Sequence, residues 1–162
     1  MNGKGFTLIE LIVTVTIIGI LSLVLGTSFQ GSIAANRIEG QVKELHADLM
    51  TARARAMQRN RIYFAVVGAG SYQIWEDTDQ DGVQDPAPAD TPLFAVPKLF
   101  DDPVSAGAGT IVMNVTGIVT TPGTVQFDIS RASSTPPDYD CIELTQTRIK
   151  MGQMNGGTCN VK

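Results

Sequence analysis

Between Glu10 and Arg37 the chain carries no charged side chain, and residues 6–30 are almost continuously apolar. As a helix, such a run can cross a bilayer, which takes roughly 20 mostly apolar residues. The pattern predicts a first helical segment over 6–30, with Gly19 and Gly26 inside it and Gly31 at its close. From residue 31 the spacing changes. Ile38, Val42, Leu45, Leu49, Ala52 and Ala56 recur at alternating steps of four and three, the narrow apolar stripe of an amphipathic helix predicted over 31–61. Arg37, Glu39, Lys43, Glu44 and Asp48 fall off that stripe. His46 sits one residue past Leu45 and is expected to face solvent.

At residue 62 the period switches to two. Ile62–Val67 and Tyr72–Trp75, separated by Gly68-Ala-Gly70, predict a β-hairpin. The stretch 86–103 holds five prolines and predicts a loop with at most a short edge strand at Leu93–Val96. Strands are then expected at Thr110–Val115, Gly117–Thr121 and Thr124–Ile129, the last two joined by a Pro122-Gly123 turn. After a Ser/Pro-rich loop at 130–138, Cys141–Thr145 and Arg148–Met151 predict a final strand pair, and Gly156-Gly157 and Cys159 close the chain. Elements segregated this way predict α+β: a long N-terminal helix, transmembrane then amphipathic, packed on a mostly antiparallel β-sheet body at 62–162.

The chain of 162 residues has room for an anchor and one modest domain. Its net charge of −4 is uneven: residues 36–61 carry six bases and three acids, and residues 62–162 five bases and twelve acids. An acidic body argues against a nucleic-acid-coating protein, though one local basic patch stays open. Arg53, Arg55, Arg59 and Arg61 crowd the end of the helix. Cations are favoured there by the helix dipole. They could also pair with acids of neighbouring subunits, or, with Arg148 and Lys150, touch the phosphates of DNA. The two cysteines, Cys141 and Cys159, are too far apart for a thioredoxin-type pair and have no companion zinc ligands. They are expected either as a single disulfide in an oxidising compartment or as two reduced, buried thiols.

Asp77-Thr-Asp79-Gln-Asp81-Gly-Val-Gln-Asp85 alternates oxygen donors around Gly82 like the first half of a calcium loop. Pro88 occupies the position where an EF-hand has its bidentate Glu, so the segment is either a shorter calcium-binding loop at Asp77, Asp79, Asp81 and Asp85 or a solvated acidic turn. Gly68-Ala-Gly70 lacks the third glycine and following helix of a dinucleotide site. Asn114-Val-Thr116 fits a glycosylation acceptor, a motif common by chance. No nucleophile with a nearby base, no metal-ligand set and no paired acids mark an enzyme.

Glu10 is an acid inside the start of the apolar run. An ionised carboxylate at the membrane centre costs about 2.5–3.5 kcal/mol on insertion scales, so it is expected either to serve a function there or to stay solvated at headgroup level. Lys4-Gly5-Phe6-Thr-Leu-Ile-Glu10 followed by that run resembles the N-terminal signal of type IV pilins and type II secretion pseudopilins, over roughly the first 30 residues. The resemblance implies a leader at 1–5, cleavage between Gly5 and Phe6 by a prepilin peptidase, N-methylation of Phe6, and a retained apolar helix. It implies too that Glu10 offsets the free N-terminus of a neighbouring subunit. An acid and an ammonium buried together are tolerable when paired. Many such proteins carry a proline in this region; none occurs here before Pro86, so any local melting on assembly would fall at the glycines. The order of elements from Thr110 to Ile129, and Arg53–Asn60 ahead of the first strand, resemble minor pilins and H-type minor pseudopilins.

With Lys4 holding the basic end in the cytoplasm, the body is expected across the inner membrane, in the periplasm. The expected function is structural: a minor subunit of a type IV pilus or type II secretion pseudopilus. Its expected partners are other pilin or pseudopilin subunits, the prepilin peptidase, the inner-membrane assembly platform, and the membrane before assembly. No cofactor is required; calcium at the aspartate loop is the one candidate. A DNA-uptake pilin using the arginine patch is the alternative.

Overall fold

The computed structural model describes residues 6–107, 109–132 and 134–162, with the side chains at 23–29 outside the description. One helix, α1, runs Leu8–Arg59. Its 52 residues span about 78 Å at 1.5 Å per residue. Thr7 caps the start, its hydroxyl accepting the Glu10 amide at 3.3 Å. Asn60 ends it in the left-handed conformation, which Asn tolerates better than most residues. The two predicted helical segments are therefore one element, and Gly31 lies within it. A Cβ on Gly31 would overlap the Ser134 side chain, so glycine lets Ser134 lie directly on the helix.

The body opens with β1 (Tyr63–Val67), β2 (Ser71–Glu76), β3 (Thr91–Pro92), β4 (Lys98–Leu99), β5 (Val104–Ala106) and β6 (Gly109–Met113). β7 (Gly123–Phe127) follows, then a 3-10 turn at Ser130–Ala132, β8 (Cys141–Leu144), β9 (Ile149–Asn155) and β10 (Thr158–Val161). These make two antiparallel sheets rather than one. The first has the order β3-β2-β1-β6, with β4 also on β2; the second has the order β10-β9-β8-β7-β5. The β1–β2 hairpin pairs Tyr63 with Glu76 and Val67 with Tyr72.

Helix α1 lies against β1 and β6 of the first sheet and β8 and β9 of the second. All six stripe residues, from Ile38 to Ala56, are fully buried. They meet Tyr63, Ala65 and Val67 from one sheet and Phe127, Ile142 and Leu144 from the other. Full burial of such side chains contributes about 1.5–3 kcal/mol each for the larger ones. The sheets are also joined by aromatics: Tyr72 stacks on Phe100 at 5.1 Å, and Phe100 meets Phe127 edge-on at 5.2 Å.

Three expectations are met differently. Leu93–Val96 is not a strand; the short pairings flank it as β3 and β4. Gly117–Thr121 is not one either, beyond an isolated bridge from Val119 to Met113. There the Asn114 carboxamide oxygen accepts from the Thr116 and Ile118 amides and the Thr116 hydroxyl, which curls the chain into a turn. Gly156-Gly157 does not end the body but turns β9 into β10.

Cys141 and Cys159 form a disulfide. It links β8 to β10 although β9 lies between them. Two flat strand steps would separate them by about 9.5 Å, yet their Cα atoms are 6.1 Å apart, so the sheet curls at this edge. Gly152 of β9 occupies the inside of the curl, where a Cβ would come 2.5 Å from the Asn160 carbonyl oxygen and 2.9 Å from the Cys159 sulfur.

Replacing both cysteines by serine opens a loop of 18 residues. That loss is expected to cost about 3 kcal/mol in the chain-entropy account, read as a lowered urea midpoint. Gly152→Ala is expected to cost about 1–3 kcal/mol by overpacking. Unchanged midpoints would contradict the curl.

Candidate functional site

The arm of α1 from Leu8 to Ser22 is exposed along its whole length. Phe6, Leu8 and Ile9 are more than two-thirds exposed, and Leu11, Ile12, Val15, Ile17, Ile18, Ile20 and Leu21 are exposed around the whole circumference. Its hydroxyl groups are satisfied within the helix. Thr14, Thr16 and Ser22 donate their hydroxyls to the carbonyls of Glu10, Ile12 and Ile18 at 2.9, 2.7 and 2.8 Å. Such back-bonding lets a hydroxyl sit in apolar surroundings without water. Glu10 lies in the first turn, at the positive end of the helix dipole, and is exposed. Among the described residues no helix is long and apolar enough to cross a membrane. Gly5 lies outside the described residues; Phe6 lies just inside them.

Beyond the arm, three charged locks fix the helix to the body. At the base, Arg37 grips Asp102 in bidentate fashion, Nε to Oδ2 at 2.6 Å and Nη2 to Oδ1 at 3.1 Å. Asp102 is 1% exposed, and this hydrogen bond raises the Arg37 pKa above its ordinary value. Arg131 approaches the same carboxylate at 3.6 Å. Midway, Lys98 bridges Asp48 and Glu44 at 2.6 and 2.8 Å and lies over the Phe94 ring. The Tyr72 hydroxyl donates to Asp48 at 2.5 Å; burial first, then that carboxylate, pushes its pKa up. At the far end, Glu76 accepts from Arg59 and from the Tyr63 hydroxyl, both at 2.6 Å. Burial and Glu76 together push the Tyr63 hydroxyl up to about 12.

Three of the four clustered arginines are thus engaged within the chain. Arg59 and Arg61 both pair with Glu76, Arg61 also donates to the carbonyls of Asp77 and Thr78, and Arg53 donates to the Thr147 carbonyl. Arg55 is half-buried. Arg148 is exposed beside Thr147, and Lys150 faces Glu143 across the β8–β9 ladder. His46 corrects its expected exposure: it is half-buried, with Nε2 3.1 Å from the Ile149 carbonyl oxygen.

The aspartate loop is neither fully solvated nor open. Asp77 is 1% exposed and accepts the Gln80 and Gly82 amides at 2.6 and 3.1 Å. Asp90, outside the spacing that marked the loop, is equally buried and accepts the amides of Thr78 and Asp85. Asp79 and Asp81 are exposed. Asp77, Asp79 and Asp90, and separately Asp79, Asp81 and Asp85, bring carboxylate oxygens within 4.8 Å of one another. These oxygens are the donors a hard cation such as calcium would use.

Sequence reasoning missed Asp90, Asp102, Glu76 and Arg131 as organising residues. Asp102 follows Phe100 in a proline-rich stretch and carries no local pattern. Its partners lie 65 and 29 positions away.

Against known proteins, residues 41–146, more than half of the chain, match the family model of the type II transport protein GspH. Residues 1–26 match the prokaryotic N-terminal methylation motif. No curated protein and no solved structure matches the chain.

Asp102→Ala removes the acceptor that Arg37 and Arg131 share. A cost of about 1.5–3 kcal/mol is expected, below that of a wholly buried pair because Arg37 is 36% exposed and can rehydrate. Denaturant unfolding measures it, and amide exchange should show residues 130–132 losing protection. A second expectation concerns pH. Burial first, with Asp90 adding repulsion, raises the Asp77 pKa above 3.8 despite its two amide bonds. The folded chain therefore holds this proton at higher pH than the unfolded one. The associated stability is full below the unfolded value and is lost as pH rises through the folded midpoint. A carboxyl-carbon NMR titration placing the Asp77 midpoint at or below 3.8 would contradict it.

Proposed function

The chain belongs to the GspH family of type II transport proteins, among the pseudopilins and type IV pilins, and on that premise we propose that it is a minor subunit of a type II secretion pseudopilus or the related type IV pilus. The observation that carries the proposal is the division of one continuous helix. From Leu8 to Ser22 it is apolar and uncovered; from Ile38 to Ala56 its apolar stripe is wholly covered by the body. Burying large apolar side chains is worth about 1.5–3 kcal/mol each, so the arm needs an apolar environment that one copy of the chain does not supply.

In this account the environment is first the inner membrane and then the arms of other subunits. The methylation motif supports cleavage by a prepilin peptidase between Gly5 and Phe6, with N-methylation of Phe6. The arm stays in the bilayer as a single pass, with Lys4 on the cytoplasmic side and the body in the periplasm. An inner-membrane assembly platform then lifts the subunit into a filament. There the arms bundle, and Glu10 of one subunit neutralises the amine of Phe6 on the next. Head-to-tail contacts that do not close build an open helical assembly. The internally bonded hydroxyls of Thr14, Thr16 and Ser22 fit both settings, since neither offers water.

Glu10→Ala or Glu10→Val is expected to leave membrane insertion intact and to reduce incorporation into filaments severely. Fractionation and filament shearing measure the two separately. Normal piliation or secretion by these variants would contradict the pairing.

A further inference from the structure

Where the arm meets the body, one face of α1 and the 3-10 turn enclose a cleft of about 370 Å³, lined by Gln30, Ile33, Ala34, Arg37 and Arg131. The four helix residues follow a 3-1-3 spacing and so share a face, and Arg131 closes the cleft from the body side. Its volume lies at the low end of the range of small-molecule sites. Two guanidinium groups border it. Arg37 gives Nε and Nη2 to Asp102, which leaves its Nη1 group uncommitted to that carboxylate. Arg131 is 64% exposed, and its ion-pair contact among the described residues is Asp102 at 3.6 Å. A guanidinium carries five donors in a planar fork suited to phosphate. One buried carboxylate thus engages both arginines and takes up only part of their donors. Both cations face Asp102, and the Asp101 carboxylate also attracts Arg37, so the cleft offers guanidinium donors rather than a large excess of charge.

The position of the cleft selects its occupant. Gln30 is the last residue of the predicted span, and Arg37 stands about 10 Å further along the axis. The polar headgroup layer of a bilayer is about 5–7 Å thick on each side of its apolar core. Arginine side chains bend their heads toward that layer while their stems lie on apolar surface, and Ile33 presents such a surface at the mouth of the cleft. We propose that the Arg37–Arg131 cleft binds the phosphate of an anionic phospholipid headgroup in the leaflet from which α1 emerges. This rests on the reading of residues 6–30 as a membrane span. A bound headgroup would set the depth and tilt of the body above the bilayer, and its release would accompany extraction into the filament.

The test uses the full chain in nanodiscs of mixed phosphatidylglycerol and phosphatidylcholine. Native mass spectrometry of the released protein should show phosphatidylglycerol retained about fivefold or more over phosphatidylcholine, the scale of one cation near an anionic surface. Arg131→Gln should abolish that preference and Arg131→Lys restore part of it; Arg131 is exposed enough for either change to leave the fold intact. Equal retention of the two lipids, or a preference that survives Arg131→Gln, overturns the proposal. If inorganic phosphate in phosphatidylcholine discs moves the Arg131 Nε resonance as far as phosphatidylglycerol does, the cleft is a free-anion site and the lipid assignment falls. If Arg131→Gln blocks filament incorporation with lipid retention unchanged, the occupant is an acid of another subunit, which also overturns it. Co-elution with discs separates these failures from that of the span itself: a chain that elutes free of discs removes both readings.

Discussion

One α-helix here carries two different kinds of surface. A helix satisfies its own backbone along its length, so it can pass from water into apolar surroundings without leaving amides bare. What changes along α1 is the side chains. Before residue 23 they are, apart from Glu10, apolar or hydroxyls that turn back onto the helix. After residue 37 only a narrow stripe is apolar, and both sheets are built against it. The remaining features of the body keep that second half in register with the sheets.

The locks do this with charge rather than area. Asp102, Asp48 and Glu76 each collect cations or hydroxyls from elements far apart in sequence. Each links α1, or the chain just beyond its end, to a strand or loop of the body. Exposed pairs of this kind contribute little, but these acids are largely buried, and a buried acid without its partner is costly. The pairs therefore select one placement of helix on sheet against sliding alternatives. The Arg37–Asp102 lock has a particular position, at the lower margin of the body where the free arm begins, so strain on the arm would reach the body first there.

The helix was legible because its periods are long and regular: the stripe from Ile38 to Ala56 declares a buried face by spacing alone. The hairpin from Tyr63 to Glu76 was legible for the same reason at period two. The split into two sheets was not. It depends on β5 and β6, neighbours in sequence, going to different sheets, and pairing over such distances leaves no local mark. Gly117–Thr121 has the composition of a strand but yields to the Asn114 side chain, a local hydrogen bond outcompeting the ladder. β10 escaped because the Gly156-Gly157 pair punctuates a chain end and a hairpin alike. At the sites, the N-terminal signal was legible as a compact motif, whereas Asp90 and Asp102 acquire their roles only through burial. The aspartate loop illustrates the difference: spacing marked Asp77 with the exposed Asp79 and Asp81, but not Asp90, which together with Asp77 holds the turn from inside.

The central claim is that the apolar arm is kept for the life of the protein and works as the contact between copies. Intact-mass and N-terminal analysis of the mature chain purified from membranes tests it most directly. The account predicts a chain that begins at Phe6, carries one methyl group on its amine and retains the whole apolar segment. A mature chain that begins well beyond Phe6, with that segment removed, would contradict it.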